Sequence, residues 1–455
     1  MMATSAVITP ARNERCPCGS DKRYKDCCGS IGAAAPATAS RSLTDLMNSA
    51  LAAQHARRLD EAELLYREAL SRSPDNPDAL HMLGVIRYEK RDDAQAQSLI
   101  LRALDLTHWA HRAYRHNLGL VLARIGRSQD EGDRSASARA RQREWLSSHE
   151  PRPPVTPPSV DVVIPCFNHG RFVEAALRSV FAQTFRDLCI TVIDDGSSDD
   201  STSVIARVLR DSPFPHRFVA RGNRGAAMTI NEGIAMSGSD YVNILNSDDL
   251  YEPDRIERMV EATAGAGAEW AFSGVSFIDA EGEPIDPLRD ERVYTQTCMM
   301  ASIPFRESVG FSLVTGNASV SSGNLFFSRR LCDRIGGFRD FRYNHDWDFG
   351  LRALREAEPV FVSPATYRYR LHGKNTITES GKRARGEANV MMTDFLDWAI
   401  SGDIRQSPLA PSVANWGSTF ITTVLEAGMA NLVDPSLLRR LAGQAAEELS
   451  TAAAG

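Results

Sequence analysis

The chain has 455 residues, more than a usual single hydrophobic core holds, so we expect two or three folding units. Hydrophobic residues make up 43% and charged residues 24%, and no apolar run reaches the length that spans a membrane. The net charge of −6 gives no electrostatic reason to expect general nucleic-acid binding. The first residues lack the basic start and apolar run of a secretion signal. We therefore expect a cytoplasmic protein, with peripheral attachment to the inner face of the membrane as an alternative.

Four of the eight cysteines form two close pairs near the start of the chain, Cys16 with Cys18 and Cys27 with Cys28. Four thiolates favour tetrahedral binding of one structural zinc ion, which would supply folding energy that so short a segment lacks. The alternative is four thiols without metal. Residues 12–30 resemble the SEC-C motif in their Cys-Pro-Cys-Gly-Ser opening and Lys-x-Cys-Cys closing. The resemblance implies a module that docks on a protein partner.

Residues 42–126 have a helical pattern that repeats. Ala62 and Ala69 recur 34 residues later as Ala96 and Ala103. This period and these small residues resemble two to three tetratricopeptide repeats, in which paired helices approach closely and stack. Such an array binds a protein partner or, alternatively, only supports or dimerises the rest of the chain. The polar and then proline-rich residues 127–158 predict a linker.

Beyond the linker, short β-rich runs alternate with helical stretches, which predicts an α/β domain over residues 159–376. Residues 377–455 look helical and carry no recognisable chemistry. The chain is thus predicted to be multidomain, with a zinc knuckle, an all-α repeat segment and an α/β domain followed by helices. The predicted strands are Val160–Ile164, Leu188–Ile193, His216–Ala220 and Tyr241–Leu245, and the predicted helices between them are Gly170–Ala182, Ser198–Leu209 and Gly225–Met236.

Polar side chains follow three of these strands. Ligands of open α/β sheets bind beyond the carboxyl ends of the strands, so these side chains are candidates for a binding site. Grouped carboxylates suit a sugar nucleotide, because a divalent cation held by one or two of them neutralises the leaving diphosphate. The first turn lacks the glycine-rich dinucleotide fingerprint, which argues against a nicotinamide enzyme. The candidates are Pro165, Phe167 and Asn168 after the first strand, Asp194 and Asp195 after the second, and Asn246 and Asp248 after the fourth.

Each candidate is given a role. We expect Asp248 to be the main protein ligand of a manganese or magnesium ion. Asp194 and Asp195 are placed to hydrogen-bond the nucleobase and ribose, with Phe167 packing nearby. The alternative for the aspartates is a solvated turn or a helix cap, and for Asp199 capping and ligand contact are equally supported.

Four segments together resemble glycosyltransferase family 2, in the order typical of that family. The resemblance spans about Ser159 to Asn375 and implies the GT-A fold, with a Rossmann-like mixed sheet. It also implies inverting transfer of a sugar from a nucleotide-diphosphate donor to a glycan, lipid-linked or protein acceptor. The segments are VVIPCFN, VIDDGSSDDS, NRGAAMTINEGIAMSGSDYVNILNSDD and NHDWDFGLR.

Two positions depart from the family pattern. Asn246 stands where the family's Asp-x-Asp motif begins, and His345 takes the glutamate position of its Glu-Asp-Trp-Asp type of motif. An adaptor with an inactive transferase-like domain is therefore the alternative function. A nucleotidyltransferase is a third possibility, but it would ordinarily have a glycine-rich phosphate loop in the first turn.

An inverting displacement needs a base that removes the proton of the attacking hydroxyl. The resemblance gives this role to Asp346, whereas burial together with pairing to Arg352 or another cation would make Asp346 structural. Arg370 and His372 lie on one face of a late predicted strand and would hold the diphosphate, or in the case of His372 the metal. The alternative for this pair is a solvated sheet edge. Acceptor specificity is expected in residues 280–324, where no pattern is readable.

Overall fold

The computed structural model describes residues 42–128, 158–373, 381–401, 409–426 and 436–443, and the single positions 15, 22, 23, 140 and 433. The four cysteines predicted to bind zinc lie outside the described residues, as does nearly all of the predicted linker. The chain divides into two compact units, Met1–Ile86 and Arg87–Gly455.

The first unit contains the helices α1 (Leu43–His55) and α2 (Leu59–Arg72). Helix α1 starts at a capping box, in which the Ser42 hydroxyl accepts from the Asp45 amide and the Asp45 carboxylate accepts from the Ser42 amide. Ala50 on α1 and Ala62 on α2 are fully buried. Small buried side chains let two helices approach closely, and α1 packs directly against α2.

Helix α3 (Pro77–Glu89) crosses the boundary between the units, and α4 (Asp93–Leu106) and α5 (Arg112–Ser128) belong to the second. Helices α1 and α3 begin 34 residues apart, and so do α2 and α4. The helical character predicted for this segment is therefore confirmed, with the predicted period.

The α/β domain is built on one eight-stranded sheet in the second unit. The strand order is β3-β2-β1-β4-β7-β6-β8-β5. The α/β class with a mixed sheet is confirmed, and the four predicted strands begin at the observed residues and end within two of them. The strands are β1 (Val160–Cys166), β2 (Leu188–Asp194), β3 (His216–Ala220), β4 (Tyr241–Ile244), β5 (Leu250–Tyr251), β6 (Trp270–Ile278), β7 (Phe326–Ser328) and β8 (Val360–Arg370).

The strands β3, β2, β1 and β4 run parallel, so their carboxyl ends share one edge of the sheet. Burial on both faces explains why β1 reads as a nearly continuous apolar run, and Val162, Val163 and Ile164 are fully buried. The connecting helices are α6 (Gly170–Phe181), α7 (Ser201–Val208) and α8 (Ala226–Met236), close to the predicted bounds.

The other half of the sheet is mixed. Strand β7 is antiparallel to both β4 and β6, β8 is parallel to β6, and β5 is antiparallel to β8. A fully buried arginine, Arg255 at the start of α9 (Arg255–Ala266), ties these strands together. Its guanidinium donates to Asn243 on β4, Ser273 on β6 and Thr366 on β8, at 3.2, 2.9 and 3.0 Å. The hydrogen bonds replace the hydration that this buried charge loses.

Helices α10 (Glu291–Ser302), α11 (Val309–Thr315), α12 (Arg329–Ile335) and α13 (His345–Ala353) fill the segments between the late strands. After the sheet come α14 (Lys382–Ser401), α15 (Val413–Trp416), α16 (Ser418–Glu426) and a helix over residues 436–443. Helix α16 packs against α5, and Phe311 of α11 meets Trp416 edge to face at 5.1 Å.

A buried carboxyl near α11 should make stability depend on pH. Glu358 accepts from the Gly310 amide at 2.7 Å, and burial raises its pKa from 4.5 to about 7. The unfolded chain therefore ionises Glu358 at lower pH than the folded chain does, so folding loses stability as pH rises from 4.5 to 7. Glutamine does not ionise. We therefore expect the free energy of unfolding of Glu358→Gln, relative to that of the wild type, to increase by about 3 kcal/mol between pH 4.5 and pH 7.

The measurement is the thermal midpoint of both proteins at pH 4.5 and pH 8. The matched control is Glu356→Gln, since Glu356 lies two residues away and is partly exposed, paired with Arg334. An equal difference between Glu358→Gln and wild type at both pH values would show that Glu358 is not the titrating group.

Candidate active site

The loops after β1 and β2 are joined at the shared edge of the sheet. The Asp195 amide donates to the carbonyl of Cys166 at 2.7 Å, and the Asn168 side chain accepts from the Ser198 amide at 2.8 Å. Asn168 adopts a left-handed conformation, with φ of 55°, which asparagine tolerates better than most residues. The neighbouring Phe167 remains 46% exposed. The predicted residues after the first two strands are thus brought together, with an aromatic ring open to solvent beside them.

The two aspartates after β2 differ in their surroundings. Asp195 accepts from the backbone amides of Arg224 and Gly225, at 2.8 and 2.9 Å, and also pairs with the Arg221 guanidinium. Asp194 accepts from the Ser197 amide through Oδ1 at 2.9 Å, whereas its buried Oδ2 has no hydrogen-bond partner within the described part of the chain. A buried acceptor without a partner is costly, so Asp194 is the better placed of the two to receive a ligand's donor.

A third polar group lies beyond β4, where two histidines flank Asp248. His372 Nε2 is 3.0 Å from Asp248 Oδ2, and His169 Nδ1 is 3.8 Å from Asp248 Oδ1. One ligand atom from each of the three residues lies within 4.8 Å of the other two. Burial tends to raise the pKa of Asp248, but the His372 hydrogen bond and the nearby His169 outweigh it and leave the pKa lowered. Two imidazoles and one carboxylate form a set that a divalent metal ion accepts.

His169 was not among the residues predicted from the sequence. It directly precedes α6 and lies close to the carboxyl end of β1. This position is the sequence feature that could have identified His169 as a site residue. The ring of Phe172, one turn into α6, stacks on His372 at 4.9 Å. This stacking and the 2.8 Å contact of His169 with the Ser247 hydroxyl orient both imidazoles.

Asp249 and Arg370 brace the loop that carries Asp248. Asp249 accepts from the Tyr367 hydroxyl at 2.5 Å and from the Arg370 amide at 2.7 Å. Burial, followed by the charge of Asp248, raises the pKa of Asp249 well above its usual range. The Arg370 guanidinium donates to the carbonyls of Asp248 and Asp279, at 2.7 and 3.0 Å. Arg370 therefore lies at the predicted site, where its guanidinium contacts backbone carbonyls.

The Asn246 side chain contacts the loop before β7. Its amide nitrogen donates to the Ser321 hydroxyl at 2.8 Å, and its oxygen accepts from Ser322 at 3.1 Å. The Asn246 amide, which stands where a carboxylate would be a third beside Asp248 and Asp249, thus links the loop after β4 to residues 321–322. Pro165, the remaining predicted residue, lies on β1 opposite Ile193 of β2.

Asp346 lies in the first turn of α13 and is 7% exposed. Its carboxylate accepts from the Asn317 amide group at 3.0 Å and from the Trp347 backbone at 2.8 Å. Burial raises the pKa of Asp346 above its usual value, which makes the carboxylate a stronger base. Asn317 falls in residues 280–324, the segment without a readable sequence pattern.

The nearby arginines pair with a different aspartate. Arg352 and Arg339 both form ion pairs with Asp348, two residues beyond Asp346. The pairing with Arg352 that would have made Asp346 structural is therefore made by Asp348. The hydrogen bonds described for the Asp346 carboxylate come from two uncharged groups, the Asn317 amide and the Trp347 backbone.

Residues 161–336 match the model of glycosyl transferase family 2, and residues 12–30 match that of the SEC-C motif. An uncharacterized glycosyltransferase of Nostoc sp. is 30% identical over 127 residues, 28% of this chain and 39% of that protein. The chondroitin synthase of Escherichia coli is 26% identical over 222 residues, 48% of this chain and 30% of that protein. The chain thus spans less than half the length of either relative.

Among solved structures, that of Staphylococcus aureus TarS residues 1–349 with UDP-GlcNAc has a TM-score of 0.43 and 12% identity, over 64% of this chain and 92% of that one. Among the described residues, no helix has both the length and the apolar character needed to cross a membrane. The glycosyl transferase match covers the first three of the four segments named above and ends before the fourth, NHDWDFGLR. The matches to glycosyl transferase family 2 over residues 161–336 and to the SEC-C motif over residues 12–30 confirm both resemblances.

Proposed function

We propose that this chain transfers a sugar from a nucleoside-diphosphate donor to a hydroxyl group of a glycan, lipid-linked or protein acceptor, with inversion at the anomeric carbon. The observation that carries the proposal is the convergence of His169, Asp248 and His372 beyond β4, at the edge where Asp194 has an unpartnered oxygen. A glycan acceptor agrees with the name of the chondroitin synthase relative.

The donor's diphosphate would lie against the cluster of His169, Asp248 and His372. A divalent cation held there would neutralise charge on the departing nucleoside diphosphate. Imidazole nitrogen suits manganese better than magnesium, which prefers oxygen ligands, so we propose that manganese supports the higher affinity. Asp194 would accept from the nucleobase or ribose, and Phe167 would offer its exposed ring to the base.

Asp346 would act on the acceptor side of the sugar. Its carboxylate takes the proton of the acceptor hydroxyl, whose oxygen forms the new bond to the anomeric carbon as the bond to the phosphate oxygen breaks. The electron pair of the broken bond leaves with the nucleoside diphosphate. One direct displacement inverts the anomeric configuration, and the hydrogen bond from Asn317 holds the carboxylate in place.

The test is calorimetric titration of the whole protein with UDP and with GDP, each with and without Mn²⁺. Binding of one nucleotide that requires Mn²⁺ is the expected result, and it identifies the base of the donor. If neither nucleotide binds in the presence of Mn²⁺, the proposal of a UDP- or GDP-sugar donor is wrong.

An adaptor function is the second candidate, because Asn246 replaces a carboxylate and its amide is engaged by Ser321 and Ser322. An adaptor with an inactive domain could still bind a nucleotide but would not release one from a nucleotide sugar. Turnover of UDP-glucose, UDP-N-acetylglucosamine or GDP-mannose to the free nucleotide by the wild type would exclude it.

For the SEC-C motif, we propose one structural zinc ion on Cys16, Cys18, Cys27 and Cys28, in a module that, like the helical repeats, docks on a protein partner. We expect Cys27→Ser to lose about one equivalent of zinc, because a closed four-sulfur shell does not tolerate a missing thiolate. The zinc content is measured by elemental analysis, and Cys298→Ser is the control because Cys298 is an exposed thiol outside the motif. Unchanged zinc content, or loss of nucleotide binding in a folded Cys27→Ser protein, would contradict an independent zinc module.

A further inference from the structure

Helix α14 contacts the segment that carries Asp346, and both lie beyond residue 336, where the match to the transferase family ends. Glu387 of α14 accepts three consecutive backbone amides, those of Arg342, Tyr343 and Asn344, at 3.0, 2.9 and 3.3 Å. The next residue along the chain is the first of α13. The Glu387 side chain is only 10% exposed, so its carboxylate is largely removed from water.

The position of the Glu387 carboxylate matters for two reasons. The amides at and before a helix start have no partner within the helix, and a negative charge there interacts favourably with the helix dipole. A single carboxylate that holds three successive amides also fixes the path of the chain into the helix. Asn344 adds a second tie, because its side chain donates to the carbonyl of Ala384 on α14 at 2.8 Å.

Helix α14 holds α13 at a further point. Arg339 pairs with Asp348 of α13 and with Asp394 of α14, and Arg355, just beyond α13, donates to the Asp394 carbonyl at 2.9 Å. Both contacts with α14 are made at Asp394, about two turns along the helix from Glu387. The chain on both sides of Asp346 thus contacts the same helix, and these contacts help to set the position of the Asp346 carboxylate.

We infer that Glu387 is a positioning residue for the proposed base Asp346, so that helix α14 forms part of the catalytic apparatus without contacting substrate. The inference rests on the proposed function. Because a displacement of about 1 Å in a catalytic group costs on the order of 100-fold in rate, loosening the start of α13 should act on turnover. The donor side lies at other strand ends, so nucleotide affinity should change little.

The test compares Glu387→Ala, Glu387→Gln and Asp397→Ala in the full chain. Glutamine keeps one acceptor oxygen without the charge, and Asp397 is a matched control because it lies on α14 and pairs with the exposed Arg440. Three quantities are measured with Mn²⁺ present: deuterium uptake of residues 342–348, calorimetric affinity for UDP and GDP, and release of nucleotide from UDP-glucose, UDP-N-acetylglucosamine and GDP-mannose.

For Glu387→Ala we expect faster deuterium uptake at residues 342–348, nucleotide affinity within about twofold of wild type, and nucleotide release lowered by about 10- to 100-fold. Glu387→Gln should be intermediate and Asp397→Ala should match the wild type.

Unchanged deuterium uptake would overturn the inference, and so would an equal loss of affinity and rate, which indicates general destabilisation. Faster uptake with unchanged release, while Asp346→Asn is inactive, would overturn the positioning role alone. Wild-type release that Asp346→Asn does not reduce would instead overturn the proposed function, and the positioning role with it.

Discussion

Replacing Asp346 by asparagine is expected to lower sugar transfer by about 10²- to 10⁴-fold, the usual contribution of a general base. Asparagine is nearly isosteric and keeps one oxygen that accepts either the Asn317 or the Trp347 hydrogen bond, but its neutral amide does not take the hydroxyl proton. Nucleotide affinity should stay close to that of the wild type, because Asp346 is proposed to act on the acceptor side. The measurement combines nucleotide release from a nucleotide sugar with calorimetry of the free nucleotide.

Asp348→Asn provides the contrast for this substitution. Asp348 is buried on the same helix and pairs with Arg339 and Arg352, so its neutralisation takes one charged partner from each of the two arginines. We expect this variant to lose thermal stability, since breaking a buried ion pair is costly. The assignment of Asp346 as base would be wrong if Asp346→Asn retained turnover and lost nucleotide binding.

Replacing Asp248 by alanine is expected to abolish the part of nucleotide binding that depends on metal. Loss of outer contacts to a metal ligand already costs 10- to 100-fold in metal affinity, so loss of a ligand itself should cost on the order of 100-fold or more. His169→Ala and His372→Ala should each weaken Mn²⁺ binding, because each removes one nitrogen from the set. Bound Mn²⁺ is counted by electron paramagnetic resonance, and nucleotide affinity is measured by calorimetry.

His216→Ala serves as control for the loss of an imidazole, since His216 is exposed at the start of β3, away from the carboxyl edge. Mn²⁺ binding that survives Asp248→Ala would place the metal elsewhere. If Mn²⁺ binding is retained only in His169→Ala, the proposed set of metal ligands is reduced to Asp248 and His372.

The candidates that could be assigned from position along the chain lie at or just after the end of a parallel strand. Parallel strands end at one edge, so Asp194, Asp195 and Asp248 could be assigned to a common site before any coordinates were known. Their individual partners could not be assigned in that way. That Asp195 pairs with Arg221, whereas Asp194 keeps an unpartnered oxygen, depends on how the loop after β3 returns to β2.

The residues that were missed act across long stretches of sequence. Asn317 reaches Asp346 over 29 positions, and Glu387 reaches Asn344 over 43. Neither belongs to a periodic pattern or follows a strand of the parallel half, so no local signal marks it. The role of Arg255 could not be predicted for the same reason. Its buried side chain links strands through hydrogen bonds that include one to Thr366, 111 positions away.

The packing of α5 against α16 has a consequence for synthesis of the chain. About 290 residues separate the end of α5 at Ser128 from the start of α16 at Ser418. At a translation rate of roughly 5 to 20 residues per second, α5 leaves the ribosome about 15 to 60 seconds before its partner. During that interval the face of α5 that packs against α16 in the folded protein lacks this partner. The nascent chain would therefore present a chaperone-binding surface until nearly the last helix is made, and premature termination would leave that surface uncovered.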